Sequence, residues 1–422
     1  MKRRILFFLG LIFIPCLNIR AEEVTFTLDE AVILALRDNR DILLKVEEVK
    51  KAKLKINEAK AALFPTLDFT GSLSRTRGLY AKDLNTVNTQ TTLKQYLYQG
   101  GKIINTIKYN GYNFEVAQAQ LDEAKLDLAL NVHKAFYTLA LASKYVQLNK
   151  DILGNTKEHI NFIRERFKSG EASEYEILII ESSLNSVEQA YEASLNQVEA
   201  SRELLRNFLN LSQDTEIKPI CEFNYAPLEL AYDEAFLLAM KNRPEIRQYE
   251  AESKRDERGI EIAKSESRPS IYASWDYYSR SRTSLSFSPT KGWQDYNILG
   301  LTFSWPVFDG WATKYKVEAA IVDLKEAQLR KQKIASDIAL ELKNAYLALK
   351  DAIANIKTSE GDLVRYQDNW ASLKQRHREG ISSSLALEDA KIAYEVSLFN
   401  KIEAVYDYLI AKGSFQKATG GS

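Results

Sequence analysis

The sequence predicts a mostly α-helical chain with a minority of barrel-type β-strands, built as one helix/β-hairpin/long-helix/helix unit used twice. Three observations carry this. Segments of the chain recur at offsets of 204 and 210 residues. Two proline-free runs are each long enough for a helix of about 100 Å at ~1.5 Å per residue. Before each run stand segments in which apolar and polar residues alternate with a period of two.

The first 21 residues read as a secretory leader: Lys2, Arg3 and Arg4, an apolar run from Ile5 to Leu17, and a small-residue exit at Ile19-Arg20-Ala21. Pro15 precedes Cys16 where a lipidation site wants a small residue, so Cys16 is read as part of the leader. Only Cys221 then remains, and an internal disulfide is impossible. Lys plus Arg and Asp plus Glu number 57 each; the four leader cations have no acidic counterpart, leaving 53 against 57 and a net charge of −4. That balance points away from nucleic acid. Beyond the leader no stretch approaches the ~18 apolar residues of a spanning helix. An exported chain of this kind is either soluble or embedded as a β-barrel, since only helices and closed barrels satisfy their backbone in lipid.

The repeat is explicit. "LDEAVILALRDNRDI" (Leu28 to Ile42) answers to "YDEAFLLAMKNRPEI" (Tyr232 to Ile246), and Pro65 to Pro269, at an offset of 204. "LYQGG" (Leu97 to Gly101) answers to "VFDGW" (Val307 to Trp311), and Arg166 and Gly170 to Arg376 and Gly380, at 210. The six extra residues fall between the proline and the glycine motif, as expected of a loop there. The organisation is a leader over 1–21, a first repeat over 22–211, a linker over 212–228 and a second repeat over 229–422. Each repeat opens with a helix of about 35 residues, Leu28 to Leu63 and Leu230 to Ser267.

The long helices (Gly101 to Lys168; Gly310 to Arg378) carry a matched seam. Leu128, Val132, Ala135, Leu139, Ala142 and Val146 are answered by Ile338, Leu342, Ala345, Leu349, Ala352 and Ile356. Spacing of four and three sustained over heptads argues for coiled-coil packing. Turns follow at Ser169-Gly170 and Glu379-Gly380, where glycine suits a left-handed helix C-terminus, and return helices run from Ser173 to Leu211 and from Ser382 to Ala418.

Between the helices, Leu67, Phe69, Gly71 and Leu73 alternate with Thr66, Asp68, Thr70 and Ser72; Ile271, Ala273, Trp275 and Tyr277 alternate with Ser270, Tyr272, Ser274 and Asp276. Strands are predicted over about 66–75, 88–98, 270–279 and 296–308, each near the ten residues of a transmembrane β-strand. The polar side has no large apolar residue except Tyr272, as a wet lumen requires. Trp275, Trp293, Trp305 and Trp311, with Tyr277, Tyr278, Tyr296 and Phe308, suggest an interfacial aromatic girdle. The hairpin tips, "SRTRGLYAKDLNTVN" and "SRSRTSLSFSPTKGWQD", are long and polar. Four strands cannot close a barrel. Two chains would supply eight, whose interior fills with side chains, and three would supply twelve, wide enough for a lumen.

These residues resemble the TolC-like outer-membrane efflux proteins. The likeness covers nearly the whole mature chain and rests on "FTLDEAVILALRDN", "AALFPTLD", "YQGG" and "VFDGW", "RFKSGEASEYEIL" and "RHREGISSSLALEDA". It implies a homotrimer in the outer membrane of a Gram-negative-type bacterium. A 12-stranded transmembrane β-barrel would continue into a periplasmic α-helical barrel. The assembly would be the exit duct for a proton-driven or ATP-driven inner-membrane pump, reached through a periplasmic adaptor.

The resemblance also assigns roles. Adaptor docking falls on the turns, Ser169, Gly170, Glu379 and Gly380. A gate of acidic residues falls on Glu176, Asp389 and the adjacent Glu388, with Arg166 and Arg376 able to tie neighbouring hairpins by ion pairs. The aromatic three before the glycine is Phe167, whereas its counterpart is His377, and the counterpart of Glu176 is Ala386, so the gate departs from the family pattern. A plainer reading of Glu176 and Asp389 is as solvated acids on a helix surface. Gly100 and Gly101, and Asp309 and Gly310, mark the strand-to-helix junctions, with Asp309 placed to cap the new helix and Pro306 removing a ladder donor at the strand's end.

Catalysis finds no support: His133, His159 and His377 have no metal-ligand spacing, and no phosphate loop, nucleophile elbow or Cys–His arrangement is present. No cofactor or metal is expected. His133 aligns with Lys343 and His159 with Asn369, which treats both positions as surface. The competing reading is a non-pore periplasmic coiled-coil scaffold or adaptor, which would be extracted without detergent. Multidrug, metal-ion and protein export all remain open as cargo.

Overall fold

A computed structural model describes residues 23–76, 84–228, 231–281 and 293–421. The leader and the centres of both hairpin tips, 77–83 and 282–292, lie outside the described residues. The chain forms two compact units, Met1–Val32 with Ala135–Glu222, and Ile33–Lys134 with Phe223–Ser422. Among the described residues no helix is long and apolar enough to cross a membrane.

Each repeat opens with two helices, not the single one of about 35 residues that the period suggested. α1 (Leu28–Asp38) and α2 (Arg40–Ala61) break at Asn39, and their twins α3 (Tyr232–Asn242) and α4 (Pro244–Ser265) break at Arg243, 204 residues later. The causes are local. Asn39 is extended and its side chain accepts the Asp41 N–H at 2.9 Å, an N-cap. Arg243 precedes a proline, which disfavours the helical region for it, and Pro244 occupies the first helical position, where no N–H is required. The Arg243 side chain is buried, and its guanidinium donates to Glu245, to Glu341 at 2.8 Å and to the Lys417 carbonyl at 3.2 Å. A buried cation is tolerable because it is paired this way.

The sheet of the second unit comprises β1 (Thr66–Thr76), β2 (Leu84–Gln99), β3 (Ser270–Ser281) and β4 (Trp293–Ser304), antiparallel throughout in that order. The last strand ends at Ser304, not at residue 308 as the alternation indicated. Pro306 has no N–H for the ladder, and the Trp305 indole instead donates to the Ser267 carbonyl at 3.1 Å. The second strand runs over 84–99 rather than 88–98, with its register against β3 shifting between Tyr96 and Tyr98. Among the described residues β1 and β4 are the unpaired edges of this sheet.

One face of this sheet is apolar and bare: Phe69 is 72% and Leu299 81% exposed, with Leu67, Leu73, Leu301 and Phe303 similar. The opposite face is a hydrogen-bonded polar surface. Thr92 donates to Asp276 at 2.6 Å, Gln90 to Asp276 at 3.1 Å and to Tyr278 at 3.0 Å. Lys94 Nζ lies 4.1 Å from the Tyr272 ring centre and 4.7 Å from that of Tyr96. Tyr272 is therefore not alone there. Tyr96 joins it, Tyr278 and Tyr296 stack at 4.9 Å, and Ile298 pairs in register with Asp276. Tyr278 and Tyr296 accordingly leave the girdle reading.

The long helices are α5 (Lys102–Lys168) and α6 (Ala312–Arg378), 67 residues each. Their return partners are α7 (Glu174–Leu209) and α8 (Ser384–Ala418). All six seam residues of α6 are buried, as are five of the six in α5, with Val146 half-buried. In the first unit Ile160 and Ile163 of α5 pack against Ile180 of α7; in the second, α6 packs along α8. Residues 212–228, expected as a linker, contain a short strand, Glu216–Pro219, parallel to Glu23–Phe26, and the Ile220 N–H donates to the Phe26 carbonyl at 2.9 Å.

His133 is half-buried rather than solvated. A Cβ on Gly413 would come within 2.9 Å of its ring, so glycine is what lets α8 approach. Burial, with Lys412 and Lys134 adding positive potential, pushes its pKa down to about 4.

Candidate functional site

Both helical turns end in the same motif for a sequence reason. At the first, Gly170 is left-handed (φ 78°), its N–H donates to the Phe167 carbonyl at 3.0 Å, and the Glu171 N–H donates to the Arg166 carbonyl at 2.8 Å. At the second, Gly380 (φ 73°) and Ile381 donate to the His377 and Arg376 carbonyls at 3.0 and 2.9 Å. This is the Schellman arrangement, which satisfies carbonyls a helix end would leave orphaned. Ser169 and Glu379 are the last residues before each glycine. The Ser169 hydroxyl donates to the Arg166 carbonyl at 3.0 Å, and Gln375 donates to Glu379 at 3.1 Å.

The side chains differ. In the first turn the Arg166 guanidinium donates to the Glu171 carbonyl at 3.0 Å and lies 3.7 Å from its carboxylate. Glu176 faces Ser173 in a reciprocal capping box: its carboxylate accepts the Ser173 N–H at 2.7 Å while Ser173 Oγ accepts the Glu176 N–H at 3.3 Å. The Ser173 backbone donor, then its hydroxyl, hold the Glu176 carboxyl below the usual range, with Arg166 a smaller influence. Phe167 is exposed.

In the second turn Ile381 stands where Glu171 stands in the first, and the Arg376 guanidinium has no hydrogen bond or ion pair among the described residues. His377 Nδ1 lies 2.9 Å from the Ser382 carbonyl. Ser383 caps α8 by accepting the Ala386 N–H at 3.2 Å, and Ala386 cannot return the bond, so no capping box forms. Glu388 Oε1 is 4.0 Å from Lys391, and Asp389 is exposed. The S-x-x-E signature of the capping box and the Arg-to-Glu spacing across the turn were both present in "RFKSGEASEYE"; Glu171 and Ser173 were the residues sequence reasoning missed.

The junctions are the second site. Gly100 (φ 60°) and Gly101 (φ 84°) are left-handed, as are Gly310 (φ 69°) and, unusually, Trp311 (φ 70°). A Cβ on Gly100 would lie 2.7 Å from both Arg268 Cβ and the Ser265 carbonyl oxygen, whereas Gly310 has open space. The N-cap position of α6 is Trp311, which makes no side-chain cap; Asp309, two residues before it, satisfies the first turn by accepting the Thr313 N–H at 2.8 Å and its hydroxyl at 2.5 Å. Trp293 opens the last strand, Trp275 pairs in register with Leu299 in mid-sheet, and Trp305 and Trp311 lie beyond the strand's helix-proximal end. The four tryptophans thus occupy three levels, not one band. Among the described residues no group of three or more His, Cys, Asp or Glu could hold a metal ion.

Comparison with known proteins agrees with this architecture. The chain is 20% identical over 409 residues to Nodulation protein T of Rhizobium leguminosarum bv. trifolii, covering 92% of this chain and 85% of that protein. Its fold is similar to the CmeC outer membrane channel of Campylobacter jejuni, with TM-score 0.81, 20% identity and 93% and 85% of the two chains covered. The MtrE outer membrane channel of Neisseria gonorrhoeae, in its open state, gives TM-score 0.76 at 18% identity, covering 93% and 89%. The family model for outer membrane efflux proteins matches residues 32–211 and 237–421. The two matched segments are the two repeats, and the chain belongs to the outer membrane efflux protein family, whose members are transport channels of the outer membrane.

Proposed function

We propose that three copies of this chain form a 12-stranded transmembrane barrel continued by a helical tube in the periplasm, serving as the exit duct of a tripartite efflux or type I secretion system. The observation that carries this is the sheet with one bare apolar face, one polar face and two free edges. In lipid each unpaired backbone group costs several kcal/mol, so β1 and β4 need strands from other copies. Twelve strands leave a lumen that the polar face can line. From Trp293 to Trp305 the chain rises about 40 Å, and a strand tilted by about 40° then spans about 30 Å of membrane normal, one hydrocarbon core. The apolar residues on α6 away from its buried seam, Val322, Leu329, Leu340 and Leu347, are exposed and suit contacts that close a helical tube.

Within that duct the turns at Ser169-Gly170 and Glu379-Gly380 are the adaptor-docking ends, and Glu176, Glu388 and Asp389, with Phe167 and His377, surround the aperture. Arg166 already has Glu171 as a partner, so Arg376 is the cation available to tie one hairpin to a neighbour. An acidic ring favours cations. Purified protein run unboiled and boiled on a denaturing gel tests the assembly: a heat-modifiable trimer is expected, and a monomer extractable without detergent would favour the scaffold. For the aperture, the Glu176→Ala/Asp389→Ala double variant should lose cation preference in planar bilayers; unchanged ion selectivity would remove the ring assignment.

A further inference from the structure

Trp311 is a bulky residue in a conformation that favours glycine. Its twin Gly101 has φ 84°, and Trp311 has φ 70° at the same point of the other repeat. Left-handed backbone strains any side chain with a Cβ, yet little in the fold repays it: Trp311 is 60% exposed and its ring contacts are one edge-on approach to Phe308, centroids 5.9 Å apart, and the Lys314 side chain. Strain that packing does not explain points to something outside the chain.

The surroundings indicate what. Val307, Phe308 and Tyr315 are exposed close to Trp311 in sequence, and Val307 and Phe308 follow along the chain from Leu301 and Phe303 of the bare apolar face. Lys314 Nζ stands 5.7 Å from the Trp311 ring centre and 5.8 Å from that of Tyr315, and Glu318 follows with its carboxylate 3.9 Å from the same ammonium. Both charged groups are more than half exposed. The first-repeat junction has Gly101, Ile104, Asn105 and Lys108 at the four equivalent positions, so aromatics, cation and acid occur together only in the second.

We propose that Trp311, Tyr315, Lys314 and Glu318 seat the headgroup of a zwitterionic, amine-bearing phospholipid where the sheet gives way to α6. The reading rests on the sheet facing lipid. The two indole and phenol rings suit the membrane interface; Lys314 takes the phosphate as a point charge, and Glu318 accepts from the headgroup ammonium. The acyl chains lie along Val307, Phe308 and the strand face. The opposite charges, one turn apart, match a phosphate followed by an amine better than a purely anionic lipid.

The test uses full-length protein in nanodiscs of phosphatidylcholine doped with phosphatidylethanolamine or phosphatidylglycerol, released into detergent and weighed by native mass spectrometry. Phosphatidylethanolamine should be retained several-fold over the other two, and Trp311→Gly, Lys314→Ala and Glu318→Gln should each abolish the preference. Soluble phosphorylethanolamine should not compete, because the acyl chains contribute. Trp311→Gly carries its own control: glycine suits the left-handed backbone, so its melting temperature in lipid-free detergent should equal or exceed the parent's. A lower one means that Trp311 is structural and overturns the proposal. Equal retention of phosphatidylglycerol means charge attraction alone and overturns it too. Quenching of Trp275 and Trp305 by brominated lipid separates the two levels: if quenching persists while headgroup preference is absent, the seat is wrong but the lipid-facing sheet stands; if quenching also fails, the sheet assignment falls.

Discussion

Arg166 closes the first helical turn on Glu171, five residues on, and at the twin of Glu171 the second turn has Ile381, which leaves Arg376 without that partner. The repeat acts as an internal control here, because the backbone motif is the same in both turns. Ile381→Glu should supply Arg376 with the acid that Arg166 has. An exposed pair contributes about 0.2–1 kcal/mol, so the open-to-closed ratio of reconstituted channels should rise by a factor of roughly 1.4 to 5, read as single-channel open probability. No change would mean that Arg376 does not tie neighbouring hairpins.

The capping box makes a second difference between the turns. Ser173→Ala should cost about 1 kcal/mol of local stability, and Ser383→Ala less, since its cap is one-sided. Hydrogen exchange of the first-turn amides of α7 and α8 measures both. The carboxyl of Glu176 is held low in the fold, so its contribution is present above the unfolded carboxylate range and is lost as pH falls through the lowered folded value. Exchange at Ser173 should accordingly quicken only in strongly acidic buffer.

At the junctions the glycines are not equivalent. Gly100→Ala drives a Cβ to 2.7 Å from a backbone oxygen and forces β2 and α4 apart, so trimer yield should collapse. Gly310→Ala meets open space and incurs only left-handed strain, about 1–2 kcal/mol. Gly310→Val, with its branched Cβ, should lie between them. Comparable loss from Gly100→Ala and Gly310→Ala would contradict this ranking.

His133 links stability to pH. Its pKa falls from 6.5 to about 4 on folding, so the unfolded chain binds more protons between those values and stability rises with pH across that window. Lowering the pH from neutrality to about 4 should therefore lower the melting temperature by an amount equivalent to roughly 2 kcal/mol per chain, allowing for partial solvent access. His133→Gln should flatten that part of the profile.

Much of this was legible in the sequence because the duplication let each pattern be checked twice. The seam from Ile338 to Ile356 and the glycines at 170 and 380 could be read from period and residue type alone. The breaks at Asn39 and Arg243 are hidden, although "NRPE" carries a proline at a first helical position, because the apolar period runs through both. The strand end at Ser304 was overrun for the opposite reason: Trp305 and Val307 keep the alternation going after Pro306 has removed the ladder donor. His133 looked solvated because its twin is Lys343, and only Gly413, far away in sequence, shows that the copies differ there. The capping box is spelled by Ser173 and Glu176 as S-x-x-E, a local signature that an aperture role for Glu176 hides.

The two free edges of the sheet have a genetic consequence. In the proposed ring, whose edge strands are completed by other copies, a chain cannot be rescued one molecule at a time: a fault in β1 or β4 breaks a joint of any ring it enters. When intact and faulty chains are made in equal amounts and mix freely, roughly one trimer in eight is free of the fault. Alleles altered at Phe69 or Leu299 should therefore be dominant over the intact gene, whereas alleles that prevent export of the chain should be recessive.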